Sequence, residues 1–169
     1  VLQINNGDLT GIEGEAVVTT TSNNKGTVTM VSGTQIITGN IGSNGHAIKT
    51  LNIGGFTDTT ALGAEDGTNY SITTANGDIY AQSTVLNNNA TTNGSELRMA
   101  SEYDLYSTVT TADANVGTLK LLGGNQIVTG NVGTTGTRLA QVDSGANGAI
   151  SNFGTSDAQT DVYAVTVNN

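Results

Sequence analysis

The fold of this chain is decided by residues 26–54, GTVTMVSGTQIITGNIGSNGHAIKTLNIG, because a closely similar sequence returns at residues 117–145, GTLKLLGGNQIVTGNVGTTGTRLAQVDSG. The two stretches align at a fixed offset of 91 residues, and 11 of their 29 positions are identical. Many other positions exchange similar residues, such as Ile37 for Val128 and Ile41 for Val132. A long internal period is the mark of a chain that stacks copies of one structural unit. Such chains usually form extended scaffolds and binding surfaces.

The repeat continues downstream with a change of offset. Residues 77–81, GDIYA, resemble residues 160–164, TDVYA, but the offset there is 83. The first copy therefore carries eight extra residues, which we place between residues 55 and 76. We predict one continuous segment over residues 1–169, with repeat 1 at about 1–95 and repeat 2 at about 96–169, taken from a longer repetitive protein.

Composition narrows the classes of protein and partner. The chain has 23 Gly but no Pro and no Cys. Without Cys it has no disulfides, and without Pro every residue can donate a backbone hydrogen bond to a strand ladder. Its formal charge is −9, which would repel phosphate backbones and argues against a nucleic-acid partner. No apolar run is long enough for a membrane-spanning helix in this segment. Abundant small polar residues in an acidic chain are typical of secreted bacterial surface proteins.

Short apolar runs with alternating polarity predict an all-β fold. The runs are rich in Val, Ile, Leu and Thr, and Gly, Asn, Asp or Ser bound them. We favour a parallel β-helix, a β-solenoid built from the two repeats of about 91 residues, with four or five coils of roughly 18–25 residues in each repeat. Short strands with Gly or Asn corners stack well at about 4.8 Å per coil. The alternative fold is a tandem pair of β-sandwiches.

The repeated motifs carry a family resemblance. Residues 38–42, TGNIG, and 129–133, TGNVG, together with the GDIYA and DVYA elements, resemble repeats of rickettsial surface cell antigens and other alphaproteobacterial autotransporter passenger domains. That resemblance covers nearly the whole chain. It implies a secreted right-handed β-helical stalk on the cell surface, used in adhesion, protection or matrix formation, and it implies no catalytic residues. In those proteins a membrane barrel follows at the C-terminus, and no such barrel is visible in this sequence.

The insertion in the first copy holds the site residues that the sequence suggests. Glu65, Asp66 and Asn69 group oxygen donors around a glycine, and hard cations prefer such donors, so this group raises the hypothesis of a structural calcium ion. No other cofactor is expected. The same insertion is our candidate for an exposed contact loop, because an insertion in one copy need not disturb the coils. The residues of that loop are Thr57, Asp58, Glu65, Asp66 and Asn69.

The sequence supports a catalytic function less well than a structural one. The single histidine, His46, aligns with Thr137 in the second copy, so we expect a solvent-facing turn residue. Paired carboxylates cleave polysaccharides on some β-helices, and this chain has several acidic residues that bear on that reading. They are Glu65, Asp66, Asp78, Glu96, Glu102 and Asp104. Such sites usually add aromatic platforms and basic residues, of which this chain has few, so we expect no enzyme.

We therefore predict a non-enzymatic structural protein of the bacterial cell surface or of an extracellular filament, acting as an adhesin stalk or scaffold. Its expected partners are further copies or neighbouring repeats that meet the ends of the solenoid, and a host-cell or matrix ligand. Two alternatives stay open. One is a pilus-like fibre subunit that exchanges a strand between subunits, and the other is a polysaccharide-active β-helix enzyme.

Overall fold

The computed structural model describes residues 1–5, 7–55, 70–87, 94–145, 151–156 and 158–169. All of its regular elements are β-strands, and all but one of the strand pairs are parallel. The exception is a short antiparallel contact between residues 154–155 and 158–159. The strands are β1 (Leu2–Asn5), β2 (Leu9–Thr10), β3 (Ala16–Val18), β4 (Lys25–Thr38), β5 (Asn40–Ile41), β6 (Ile48–Ile53), β7 (Ser71–Asn76), β8 (Ile79–Leu86), β9 (Glu96–Met99), β10 (Leu105–Thr111), β11 (Thr118–Leu121), β12 (Gln126–Val128), β13 (Leu139–Ser144), β14 (Ser151–Thr155), β15 (Ala158–Gln159) and β16 (Ala164–Asn168).

The pairing registers arrange these strands as three parallel faces around one axis. Face 1 stacks β1, the first half of β4, β6, and the later parts of β8 and β10. Face 2 stacks β2, the second half of β4, β7, β9, β11, β13 and β16. Face 3 stacks β3, β5, the first residues of β8 and β10, β12 and β14. The chain visits the faces in that order in about six turns, so the predicted β-solenoid is confirmed and the tandem sandwiches are wrong.

Coil length varies more than the sequence suggested. One inward column of face 1 contains six residues that lie above one another, and consecutive members are 23, 33, 25, 23 and 30 residues apart in the chain. These residues are Val28, Leu51, Thr84, Val109, Val132 and Val162. The expectation of four or five coils of roughly 18–25 residues in each repeat is therefore wrong. Three coils separate Val28 from Val109, and the repeat partner of Val28 is Leu119, one face further on. The offset of 91 residues thus covers three coils and one additional face.

The core is a column of apolar layers inside the three faces. Inward residues of successive coils contact one another along the axis, and most are fully buried. Burying each large aliphatic side chain stabilises the fold by about 1.5–3 kcal/mol. Met30, Ile53 and Leu86 form one such run on face 1, while Ile37 and Met99 belong to another on face 2. Because neighbouring coils complete each layer, an isolated coil would have no core of its own.

Candidate functional site

The predicted calcium and contact-loop residues lie outside the described residues. Thr57, Asp58, Glu65, Asp66 and Asn69 all fall within residues 56–69. Neither the calcium hypothesis nor the contact-loop prediction is therefore tested.

The residues on either side of 56–69 are both bonded to one strand, β4. The Gly55 N–H donates to the Val31 carbonyl at 2.8 Å, and the Gly33 N–H donates to the Tyr70 carbonyl at 3.0 Å. Val31 and Gly33 lie at the bend of β4 where face 1 turns into face 2. Gly55 and Tyr70, the described residues on either side of 56–69, therefore lie at the same corner of the solenoid.

The repeated TGN-Ile/Val-Gly and Asp-Ile/Val-Tyr motifs lie directly above one another in the solenoid. Asn40 Oδ1 accepts the Asp78 N–H at 2.8 Å, and in the second copy Asn131 Oδ1 accepts the Asp161 N–H at 3.1 Å. The partners are 38 residues apart in the first copy and 30 in the second, so the eight extra residues lie within that one coil.

The glycine that closes the lower motif is required by the coil above it. A Cβ on Gly42 would lie 2.5 Å from the Tyr80 carbonyl oxygen, and one on Gly133 would lie 2.3 Å from that of Tyr163. Both glycines also have positive φ angles, 70° and 72°. A side chain at either position would therefore push two coils apart.

Four side chains on the outside of face 3 form the most organised polar group outside the core. We name Asp78, Tyr80, Asp104 and Tyr106 the Asp–Tyr row. Residues 78–80 and 104–106 share the pattern Asp-apolar-Tyr and are in register in consecutive coils, with Tyr80 opposite Tyr106. The pattern places the apolar residue inside the solenoid and the aspartate and tyrosine outside it.

The aspartates of the row connect three coils along the axis. Asp78 Oδ1 accepts the Asp104 N–H at 2.9 Å, and Asp104 Oδ1 accepts the Ile127 N–H at 2.8 Å. Together with Asn40 below, they form a ladder in which each side chain binds the backbone of the next coil. Two of the acidic residues considered for polysaccharide cleavage therefore have a structural contact.

The tyrosines of the row stack on each other. Their ring centroids are 4.5 Å apart and the planes differ by 11°. The Tyr106 hydroxyl donates to Asp104 Oδ2 at 2.8 Å, and that of Tyr80 donates to Asp78 Oδ2 at 3.5 Å. Partial burial and the neighbouring carboxylates raise the pKa of both phenols above the ordinary tyrosine value.

Of the acidic candidates that the structure describes, Glu96 and Glu102 lie outside the Asp–Tyr row. Glu96 is on the outside of face 2, where it pairs with Arg98 and binds Lys120 Nζ at 3.3 Å. Lys120 also approaches Asp143 Oδ2 at 4.0 Å. Glu102 is exposed in the turn before β10, with φ at 71°. Among the described acidic candidates, Glu96 therefore lies on a different face of the solenoid from Asp78 and Asp104.

A pair of buried glutamines is the feature that the sequence reasoning missed. Gln35 and Gln126 are repeat partners, and both are 0% exposed. Gln126 Nε2 donates to the carbonyls of Met99, Ala100 and Tyr103 at 3.2, 2.7 and 3.1 Å.

Gln35 makes the corresponding bonds one repeat earlier, to the carbonyls of Ile4 and Gly7 at 3.1 and 2.8 Å. In each copy the next residue, Ile36 or Ile127, donates its N–H to an aspartate that ends the turn below. The sequence signal for this corner is the dipeptide Gln-Ile, which occurs at residues 35–36 and again 91 residues later at residues 126–127.

The remaining sequence predictions concern the turn at His46, metals and membranes. His46 is exposed and closes a turn with Ser43, as Thr137 does with Thr134, so that prediction is confirmed. Within the described ranges, no three or more His, Asp or Glu side chains are grouped so that they could hold a metal ion. The same part of the chain contains no helix of the length and hydrophobicity needed to cross a membrane.

Open strand edges occur at both ends of the described solenoid. Strands β1, β2 and β3 each pair with one other strand, and β16 pairs only with β13. Apolar side chains are exposed on these strands, with Leu2 at 39% and Val167 at 58%. Backbone groups at such edges can accept another strand.

Comparison of the chain with models of protein families, with curated proteins and with solved structures found no match. The geometry of the solenoid and its surfaces therefore carries the functional argument.

Proposed function

We propose that this chain is a segment of a non-enzymatic structural protein, exported to the bacterial cell surface or to an extracellular filament, where it acts as an adhesin stalk or scaffold. The observation that supports this most strongly is the parallel ladder, which runs through about six turns with three faces in register. A rod built in this way is stiff along its axis, because each coil is bonded to the next by backbone and side-chain contacts.

The outer surface supports the same proposal. The carboxylates of face 3 bind the backbone of the next coil, and the carboxylates and cations of face 2 bind one another. The resemblance of the TGN-Ile/Val-Gly and Asp-Ile/Val-Tyr motifs to autotransporter passenger repeats points to the same location. The segment from Thr57 to Asn69 remains our candidate contact segment for a host or matrix ligand.

Self-association at the ends of the solenoid is part of the proposal. The unpaired edges of β1 and β16 and the exposed Leu2 and Val167 fit a further coil, which a neighbouring repeat or another copy would supply. Negative-stain electron microscopy over a concentration series tests this part. We expect end-to-end rods that lengthen with concentration; particles of constant length at all concentrations would refute the association of copies.

The location is tested with antibodies raised against this chain. Intact cells that produce the parent protein are labelled with antibody and gold, before and after permeabilisation. We expect labelling of intact cells and its loss after brief treatment with an external protease. Labelling that requires permeabilisation would overturn the proposal.

A further inference from the structure

The stacked tyrosines of the Asp–Tyr row are held together by the backbone ladder. Tyr80 and Tyr106 are register partners in adjacent parallel strands, and parallel strands lie about 4.8 Å apart. The ring separation of 4.5 Å follows that spacing. The two phenols therefore stay in contact for as long as the two coils remain paired.

Each phenol also has its own proton acceptor. Loss of one electron makes a phenol strongly acidic, so oxidation is easier when a base can take the proton in the same step. Tyr106 donates its hydroxyl proton to Asp104 Oδ2, and Tyr80 points its hydroxyl at Asp78 Oδ2. Among the described aromatic rings, this is the pair that stacks.

The composition of the chain directs oxidation towards tyrosine. The sequence has no Cys and no Trp, and its two methionines, Met30 and Met99, are 0% exposed. Exposed sulfur is the usual target of peroxide. Tyr80 and Tyr106 are only half-buried, so part of each residue is accessible to an oxidant.

We propose that Tyr80 and Tyr106 form an oxidative cross-linking site, at which hydrogen peroxide and a haem peroxidase join the two rings as dityrosine. The peroxidase removes one electron from each phenol, and the two hydroxyl protons pass to Asp78 and Asp104 and then to water. The two radicals combine in a carbon–carbon bond between the ring positions next to the hydroxyls. The hydrogen on each joined carbon then moves to the phenol oxygen, which restores both aromatic rings.

The step balances in atoms and electrons. The protein loses two hydrogen atoms, and one hydrogen peroxide molecule takes up two electrons and two protons to give two water molecules. The product is a covalent tie between two consecutive coils that encloses residues 80–106. Such a tie restricts the unfolded chain and so stabilises the rod.

Proteolysis of the oxidised chain provides a direct test. Trypsin cleaves after Lys and Arg, so it places Tyr80 in the peptide of residues 50–98 and Tyr106 in the peptide of residues 99–120. The folded chain is treated with hydrogen peroxide and a haem peroxidase at high dilution, and the monomer is isolated by size exclusion and digested. We expect these two peptides to be joined, with a mass that is lower than their sum by two hydrogen atoms.

The same peptides contain matched controls. Tyr70 lies in the first peptide and Tyr103 in the second, so Tyr70→Phe and Tyr103→Phe should leave the joined peptide intact. Tyr80→Phe and Tyr106→Phe should each abolish it, while circular dichroism confirms that the β-fold is kept. Oxidation in urea should also lower the yield of the joined peptide, because unfolding separates the rings.

Three results would overturn the proposal. The first is a joined peptide that persists in Tyr80→Phe. The second is an equal yield from folded and urea-treated chain. The third is consumption of tyrosine in the folded monomer without any joined peptide.

Discussion

Replacing the buried Gln126 by methionine tests how strongly the glutamine corner holds consecutive coils together. Methionine has a similar volume and keeps the packing, but it removes every hydrogen bond of the amide. Two backbone groups then lose the only partner seen in the described structure, namely the Tyr103 carbonyl and the Gly123 N–H. The Met99 carbonyl keeps the Leu122 N–H as a donor, and the Ala100 carbonyl keeps a long bond from the Tyr103 N–H.

The expected cost follows from those two groups. A buried polar group without a partner costs about 1–3 kcal/mol, and the exposed turn lets water replace part of the loss, so we expect about 2–4 kcal/mol. With an m-value of about 2 kcal/mol/M, the urea midpoint should fall by about 1–2 M. Urea unfolding followed by circular dichroism measures this shift. The control is Gln82→Met, which changes an exposed glutamine. Equal midpoints for Gln126→Met and wild type would refute the reasoning.

Three further predictions test other parts of the account. Gly130→Ala should destabilise the chain by about 1–3 kcal/mol, since its Cβ would lie 2.3 Å from a backbone oxygen of the coil below. The control is Gly136→Ala, whose Cβ meets open space, so its effect should be nearly neutral. Thermal unfolding of both variants measures the difference. The hydrogen bond to Glu13 raises the pKa of Tyr103 to about 12. The stabilisation that this bond gives the folded chain is therefore complete below pH 10 and is lost as the pH rises from 10 to 12. Tyr103→Phe should lack that loss, and equal slopes of stability against pH in the two proteins would contradict the bond. For the predicted calcium site, added Ca²⁺ should raise the melting temperature of chelator-treated wild type but not that of Asp66→Asn. An equal rise in both proteins would exclude Asp66 as a ligand.

The class of fold could be predicted because the repeat and the short alternating runs are properties of the sequence itself. The TGN-Ile/Val-Gly and Asp-Ile/Val-Tyr motifs were recognised as repeated elements, and the change of offset gave the eight-residue insertion. The contact between these motifs was not predictable, since Asn40 and Asp78 are 38 residues apart and nothing in the sequence marks them as neighbours.

The number of coils was wrong for a physical reason. Coil length depends on how many residues each corner takes. A corner can be an uninterrupted strand, as in β4, or a turn, as at residues 43–46. A sequence repeat shows that a residue returns to a similar environment, but not that it returns to the same face. The three faces of the solenoid offer similar environments. Gln35 and Gln126 therefore bind similar turns although they lie on face 2 and face 3.

The Asp–Tyr row was only partly accessible to sequence reasoning. Asp78 and Asp104 were singled out as acidic residues, but their pairing partners depend on the register between β8 and β10. That register places the backbone of one coil against the carboxylate of another. The stacking of Tyr80 on Tyr106 follows from the same register.

The central claim, that consecutive coils lie parallel and in register, is tested most directly by engineered disulfides in this Cys-free chain. Ser83 and Thr108 are register partners on the outer side of face 1, whereas Val85 lies two residues further along the same strand. A disulfide needs Cα atoms within about 7 Å, which the register pair meets and the shifted pair, at about 8 Å, does not. Ser83→Cys with Thr108→Cys should form an intramolecular bond on mild oxidation, while Val85→Cys with Thr108→Cys should keep free thiols. Free thiols in the first variant, or ready bonding in the second, would contradict the stacked solenoid.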